Sequence, residues 1–438
     1  MNRKWLGFAG ILVGMSAAML EKSLVATALP TITAEFGSIT LYSWVFGAYM
    51  LASTTTIPLF GKLADLKGRR VLYLGGMALF LIGSALAATA VSMPQLILYR
   101  VIQGTGAGAI APAALAAIGD LFPSETRGRA FGAIGAVSIL ANLAGPLLGG
   151  WVTDTLSWRW GFAIILPVGG VAALLVAIGL PAHKSVQEQN GRIDWQGAVL
   201  MGLALSGILV GLDAIGTGGT SLGWGTAVSL IAVFLFIVGM RQEQRHPDPV
   251  LPLSLLRLPI MKSTLTSALF LGVVTHSAIA YIPLFVRETQ GATATGAGFA
   301  LLPMMVATGV ASGVGGWLAS RWGGRVNLAA WLLAAIGFLL LVTSANAAAV
   351  YTAAGLIGAG MGLLLPVLLH IAQDEAGETD RAAISGTLQL ARNLGGAAGV
   401  PLMGIWLNNS ADTGANVLAI FASLAVVAAA GLIVSLKR

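Results

Sequence analysis

No cysteine occurs among the 438 residues, which excludes thiol catalysis, cysteine-ligated metal centres and disulfides. Charge is almost as scarce. Asp, Glu, Lys and Arg together make up 9% of the chain, against roughly 25% in ordinary soluble domains. The four histidines are scattered, and the chain carries no HExxH pair, no GxSxG elbow and no P-loop. An intramembrane enzyme built on those chemistries is excluded, as is transport driven by a nucleotide domain of its own. No long polar stretch is available to form a separate soluble domain, and neither a metal site nor a cofactor is expected.

Apolar residues are what the chain has in abundance. They make up 57% of it, with a mean hydropathy of +0.87, in runs of about 20 residues, the length that crosses a bilayer as helix. The reading is an all-α membrane protein. A net charge of +7 would point to nucleic acid in a soluble chain; here its placement matters more than its size, and membrane lipids rather than nucleic acid are the expected surroundings.

Apolar runs broken by charge or by Gly/Pro/Ser turns place helices near 6–28, 41–62, 71–92, 95–121, 128–152, 159–181, 194–215, 222–240, 261–286, 295–319, 326–345, 348–371, 382–407 and 412–435. That gives fourteen spans. With a cytoplasmic N-terminus, 19 of the 24 Lys and Arg residues fall on the cytoplasmic side, as short loops of membrane proteins require. Both termini are therefore expected in the cytoplasm. Asn2-Arg3-Lys4 ahead of an apolar run, with Ala26-Thr27-Ala28 behind it, has the outline of a signal peptide. The run is too long for a signal core and contains Glu21 and Lys22, so it is read as a span.

The chain repeats itself. GKLADLKGRR (Gly61 to Arg70) aligns with GWLASRWGGR (Gly316 to Arg325) at an offset of 255 residues, and Pro146 and Trp151 align with Pro401 and Trp406 at the same offset. GTGAGAIAP (Gly104 to Pro112) aligns with GAGMGLLLP (Gly358 to Pro366) at 254, together with Asp120 and Asp374. A duplication is the simplest source of three matches at nearly one offset. It divides the chain into a six-helix bundle over 1–181, two inserted helices with cytoplasmic linkers over 182–259, and a second six-helix bundle over 260–438. Parallel repeats of this kind are a secondary-transporter arrangement, with the substrate site between the halves.

Particular motifs carry a resemblance over essentially the whole length. GKLADLKGRR, with Gly61, Asp65, Gly68, Arg69 and Arg70, resembles the signature between the second and third helices of the major facilitator superfamily. LYRVIQGTGAG, built on Arg100 and Gly104, resembles its fourth-helix motif. AGPLLGGW, with Gly145, Pro146, Gly149 and Gly150, resembles its antiporter motif, with Ala141 where an earlier glycine is common. LEKSLVATALP, WRWGFAIILPVG and the two inserted helices are similar to the fourteen-helix drug/proton antiporter branch, whose first helix usually has aspartate where this chain has Glu21. The resemblance implies a proton-coupled exporter of small amphipathic compounds in a bacterial cytoplasmic membrane, working by alternating access, with protons as the coupling ion. A monomer is expected. An exporter of a lipid or anionic amphiphile on the same scaffold is the alternative, and a channel or receptor a more distant one.

Each site residue can also be read physically. Glu21 lies about 22 Å along the first helix from residue 6, where holding a bare charge is costly; it is either a proton-coupling acid or a structural partner of Arg100 or Arg392. Lys22, about 100° round the helix, snorkels outward, binds an anionic group or pairs with an acid. Arg100 and Gln103 suit a buried polar network, and Arg100 alone a snorkelling position. Gln389, Arg392 and Asn393 suit the substrate cavity, with Arg392 serving an anion or countering an acid. Asp213 is an interfacial residue or a second proton site. His276, at offset 255 from Glu21, is a candidate relay. In the signature, Asp65 caps a helix start and pairs with basic residues of a neighbouring loop, so that with Arg69 and Arg70 it forms a cytoplasmic latch, while Gly61 admits a neighbouring helix. Gly104, Gly106 and Gly108 read as close helix packing and not as a nucleotide fingerprint, since no strand precedes them. Pro146 with its glycines reads as a kink.

Overall fold

The structure, a computed structural model, describes residues 3–181, 195–217, 221–245, 259–344, 346–375, 381–408 and 412–436. Among these residues every regular element is a helix, as a chain immersed in lipid must arrange if its backbone N–H and C=O groups are to be satisfied. The helices are α1 (Arg3–Phe36), α2 (Tyr42–Lys67), α3 (Arg69–Ala88), α4 (Met93–Leu121), α5 (Ser124–Thr155), α6 (Trp158–Ala163), α7 (Ile165–Gly179), α8 (Trp195–Thr217), α9 (Ser221–Arg245), α10 (Pro259–Gln290), α11 (Ala294–Trp322), α12 (Gly324–Thr343), α13 (Ala347–Glu375), α14 (Arg381–Gly404) and α15 (Thr413–Leu436). Eleven spans are long and apolar enough to cross a membrane, α6 and α7 counting as one. With α2, α8 and α14 the passes are consistent with fourteen.

Two details depart from the expected spans. α1 continues past residue 28, through Pro30, to Phe36, because neighbouring helices and local adjustments let membrane helices tolerate proline. The sixth pass is broken at Ile164. Pro167, in the first turn of α7, has no N–H to offer and its ring crowds the carbonyl of Ala163, the last residue of α6. α5, by contrast, runs without interruption through Pro146.

Contacts divide the chain into two units, Met1–Ile208 with Val228–Val250 and Leu209–Ala227 with Leu251–Arg438. The linkers 182–194 and 246–258, with Lys184 and Arg192 in the first, lie outside the described residues, as does Arg257. Within each unit the helices pair in the same way. In the first, α1 packs on α5 and α7, α4 on α2 and α3, and α3 on α7. In the second, α10 packs on α14 and α15, α13 on α11 and α12, and α12 on α15. The duplication read from sequence is therefore a duplication of packing.

It extends to single glycines. A Cβ built on Gly104 would stand 3.0 Å from Tyr49 Cα, and one on Gly358 2.7 Å from Met304 Cα, and Tyr49 and Met304 are themselves 255 residues apart. Gly108 meets Ser53 where Gly362 meets Thr308, and Gly106 meets Phe80 where Gly360 meets Ala334. At those distances only hydrogen fits. Among the described residues the four with positive φ are likewise two repeated pairs, Gly37 (65°) with Gly291 (62°) and Gly68 (91°) with Gly323 (54°). Each donates its N–H to the carbonyl four residues back, closing a helix end in a conformation that glycine adopts without strain.

α1 and α5 meet at Gly145 and Gly149, the latter placing a Cβ 2.7 Å from Leu24 Cα. Gly150 is buried on the same helix. Gly61 behaves differently from expectation. A Cβ there would meet nothing within 4 Å among the described residues, so the close approach foreseen at this position is not found among them, and the backbone contacts lie deeper, along α4 and α5.

Gly104→Leu and Gly358→Leu should each lower thermal stability in detergent by at least the roughly 1–3 kcal/mol typical of overpacking, because the obstructing atoms are backbone. Gly61→Leu should leave it within about 0.5 kcal/mol. Equal melting temperatures for Gly104→Leu and Gly61→Leu would overturn this assignment of packing roles.

Candidate functional site

In the first unit the side chains of Glu21 and Gln103 converge on Arg100. Three helices bring its partners together. Gly83 of α3 lets Gln103 of α4 approach, a Cβ there standing 2.6 Å from Gln103 Cα, while Gly104 sets α4 directly on α2. With α4 held on both sides, Arg100 is fully buried and points at α1 and α2.

Its guanidinium makes five contacts. Nη1 donates to Glu21 Oε1, an ion pair in which both side chains are inaccessible to solvent. Nη1 also donates to Gln103 Oε1 at 2.6 Å, and Nε to the Val45 carbonyl at 3.2 Å. The guanidinium carbon lies 4.1 Å from the Tyr49 ring centre and 5.9 Å from that of Phe162, within reach of cation–π attraction. Glu21 Oε2, Arg100 Nη2 and Gln103 Nε2 are buried without a hydrogen-bond partner.

This settles which residue Glu21 meets. Of the two arginines that depth alone left open, the partner is Arg100, and the snorkelling position for Arg100 is replaced by a buried network. Removing one member of such a pair leaves an uncompensated charge, at a cost of about 3–5 kcal/mol. The other contacts of Arg100 are an amide, a main-chain carbonyl and two aromatic faces, so Glu21 is the one carboxylate that meets it among the described residues.

Lys22 is half-buried, with Nζ 5.8 Å from the centre of the buried Phe46 ring. In the second unit, His276 is buried on α10 and its Nδ1 lies 2.9 Å from the Gly272 carbonyl of its own helix. Gln389 is exposed and donates to Asn393 Oδ1 at 3.4 Å, with Arg392 half-buried between them. The side chain of Asp213 lies outside the described residues.

At the end of α4 that the charge pattern assigns to the cytoplasm, Arg69 pairs with Asp120 and donates to the Ala116 carbonyl at 2.6 Å. Arg127 donates to the carbonyls of Gly119 at 2.8 Å and Phe122 at 3.3 Å, and Lys4 lies over the Phe122 ring. Cations thus gather on the C-terminal carbonyls of α4, where the helix dipole favours them. Arg69 is anchored here by Asp120, a residue visible in sequence only as a member of the repeat. Arg70 is half-buried at the start of α3, and the side chain of Asp65 lies outside the described residues.

The opposite end holds a cluster that motif reading did not identify as such. Glu35, at the tip of α1, accepts from Arg159 Nη1 at 2.9 Å and from Trp158 Nε1 at 2.6 Å, while Arg159 Nη2 donates to the Ala90 carbonyl at 3.0 Å. The signal was present in WRWGF, whose two polar side chains need partners near a membrane surface. Among the described residues no group of three His, Asp or Glu side chains could hold a metal ion.

Comparison with known proteins places these features. Residues 8–400 match the model of the Major Facilitator Superfamily. The chain is 32% identical over 418 residues to the multidrug transporter protein MdtP of Bacillus subtilis, covering 93% of this chain and 76% of that one. It is 32% identical over 405 residues to multidrug resistance protein 3 of the same organism, covering 90% and 78%. In fold it is similar to an inward-facing, occupied bacterial homolog of the human lysosomal transporter Spinster (TM-score 0.68, 13% identity, 98% and 95% covered). It is also similar to an auto-inhibited POT family peptide transporter (TM-score 0.70, 15% identity, 99% and 97% covered). With its duplicated helical units, its glycine-packed fourth helix and this extent of similarity, the chain belongs to the Major Facilitator Superfamily.

Proposed function

We propose that this protein is a proton-coupled secondary transporter of the multidrug-efflux type, exporting small amphipathic compounds by alternating access. Family membership makes the chain a transporter and not an enzyme. The relatives named multidrug transporter, multidrug resistance protein and efflux pump support the direction and the breadth of substrate. The paired inserted helices support the fourteen-helix drug/proton antiporter branch. The distribution of Lys and Arg supports a bacterial cytoplasmic membrane with both termini inside. The protein acts as a monomer among membrane lipids, with the proton as its only coupling species.

The observation that carries the proton reading is the fully buried Glu21–Arg100 pair between α1 and α4. A proton delivered to the Glu21 carboxylate removes its charge and with it the ionic bond between the two helices. Arg100 then keeps Gln103, the Val45 carbonyl and the Tyr49 face, which lowers the cost of separating the pair. Loss of the proton to the other side restores the carboxylate and draws α1 back. The conformations with and without this bond are the two states between which a driving gradient can bias the protein. Substrate moves outward as the proton moves inward.

In proteoliposomes with an imposed pH gradient, Glu21→Gln should lose accumulation of rhodamine 123 against its gradient while retaining downhill movement. Accumulation equal to that of the intact protein would overturn the assignment. Arg100→Leu should destabilise by about 3–5 kcal/mol by leaving Glu21 unpaired. The double variant Glu21→Leu/Arg100→Leu should recover much of that stability but none of the coupling.

The cysteine-free chain allows a direct test of orientation. Single replacements Thr126→Cys and Gly324→Cys should react with a membrane-impermeant maleimide only in inside-out vesicles, and Ser38→Cys and Ala292→Cys only in intact cells. The opposite pattern would invert the topology.

A further inference from the structure

Arg392 stands apart from the other membrane arginines. It lies on α14 about 16 Å from Arg381 and about 18 Å from Gly404 at 1.5 Å per residue, so the middle of the span carries its charge. Arg69, Arg100 and Arg159 each pair with a carboxylate. Arg392 pairs with none among the described residues, and its Nε is shielded from solvent without a hydrogen-bond partner. A cation held at that depth with no carboxylate beside it among the described residues and a buried Nε unmet is a candidate functional group.

Its surroundings are built to hold it in place. Gly395 sets α14 on α10 with a Cβ position 3.1 Å from Leu269 Cα, and Gly399 does so 2.8 Å from Val273 Cα. Gly272 of α10 abuts the Arg392 carbonyl and lies 2.9 Å, at its Cβ position, from Gly396 N. The backbone that carries the guanidinium is therefore fixed by main-chain contact over two turns. On the adjoining part of the helix surface Gln389 and Asn393 are joined by a hydrogen bond. Gln389 is exposed at about 12 Å from the helix start, a depth at which an amide turned toward acyl chains would lose its hydrogen bonds. This face of α14 therefore meets water.

From this geometry we infer that Arg392 is an anion-recognition site, and that the anion is the carboxylate, sulfonate or phosphate group of a transported amphiphile, with Gln389 and Asn393 adding neutral hydrogen bonds. This rests on the exporter reading for its transport aspect and on α14 alone for its binding aspect. A planar guanidinium presents paired donors that match two oxygens of such a group. Binding supplies the missing counter-ion, so affinity follows the charge of the substrate as well as its apolar bulk.

Fluorescein and rhodamine 123 share a ring system and differ in charge. Binding of each to the full-length protein in phosphatidylcholine nanodiscs, and gradient-driven uptake of each by inside-out proteoliposomes, should be measured for intact protein, Arg392→Gln and Arg392→Lys. Arg392→Gln should weaken fluorescein binding and raise its KM by about tenfold or more, leaving rhodamine 123 within about twofold. Arg392→Lys, which keeps the charge and loses the fork, should recover part of the affinity and decides the matter if the glutamine variant does not fold. Adding phosphatidylglycerol to the nanodiscs should leave the fluorescein affinity unchanged; displacement of the dye would assign the site to a lipid headgroup and overturn the substrate inference. Absence of fluorescein binding to the intact protein, or an equal effect of Arg392→Gln on both dyes, would also overturn it. Rhodamine 123 uptake without fluorescein binding would leave the exporter standing and remove this site. Arg392-dependent fluorescein binding with uptake of neither dye would do the reverse.

Discussion

Lipid tails are as apolar as leucine, so helices in a bilayer gain little by burying leucine against each other. They adhere where their backbones can touch. In this protein that condition is met by glycines placed one or two turns apart, and the helix pairs they join recur in both units. The chemistry depends on it. Arg100 and Gln103 are directed toward α1 and α2 because α4 is held flush against α2 at Gly104 and Gly108 and against α3 at Gly83 and Gly106. A side chain at any of these glycines would lift the helix and carry the charge cluster with it.

The two units share a frame but not a polar network. The positions that correspond to Glu21, Tyr49, Arg100 and Gln103 at the offsets of the repeat are His276, Met304, Ala354 and Ile357, all buried. The two copies keep the same packing, while the acid, the arginine and the amide of this network stand only in the first. Conversely, Arg392 corresponds to Val137 or Ser138, depending on the offset, and has no charged counterpart in the first. A buried ion pair is weak evidence for stability because desolvation offsets much of its attraction.

Much of this was legible in the sequence, for physical reasons that can be named. Hydropathy runs located the helices to within a few residues at most ends, since the bilayer imposes their length. The repeat indicated which helix of the second half corresponds to which of the first, though not which helices pack together. The end of α1 was placed eight residues short, at 28, and Pro167 concealed the break between α6 and α7 because it lies inside an unbroken apolar run. Glu21 and Arg100 were both visible as charges at depth, but depth alone could not select Arg100 over Arg392. Tyr49 and the Val45 carbonyl were not visible at all: one is an aromatic in a helix that has several, the other belongs to the main chain, and only the geometry of α2 brings them to the guanidinium.

α1 is 34 residues long, about 51 Å at 1.5 Å per residue, which exceeds the roughly 30 Å of a hydrocarbon core. It is fastened at three heights within its own unit: Lys4 over Phe122 at one tip, Glu21 to Arg100 midway, and Glu35 to Trp158 and Arg159 at the other. Such a rod is a lever with both tips moored. Fixed at both tips and at its middle to one unit, α1 cannot tilt within that unit without straining more than one of these contacts.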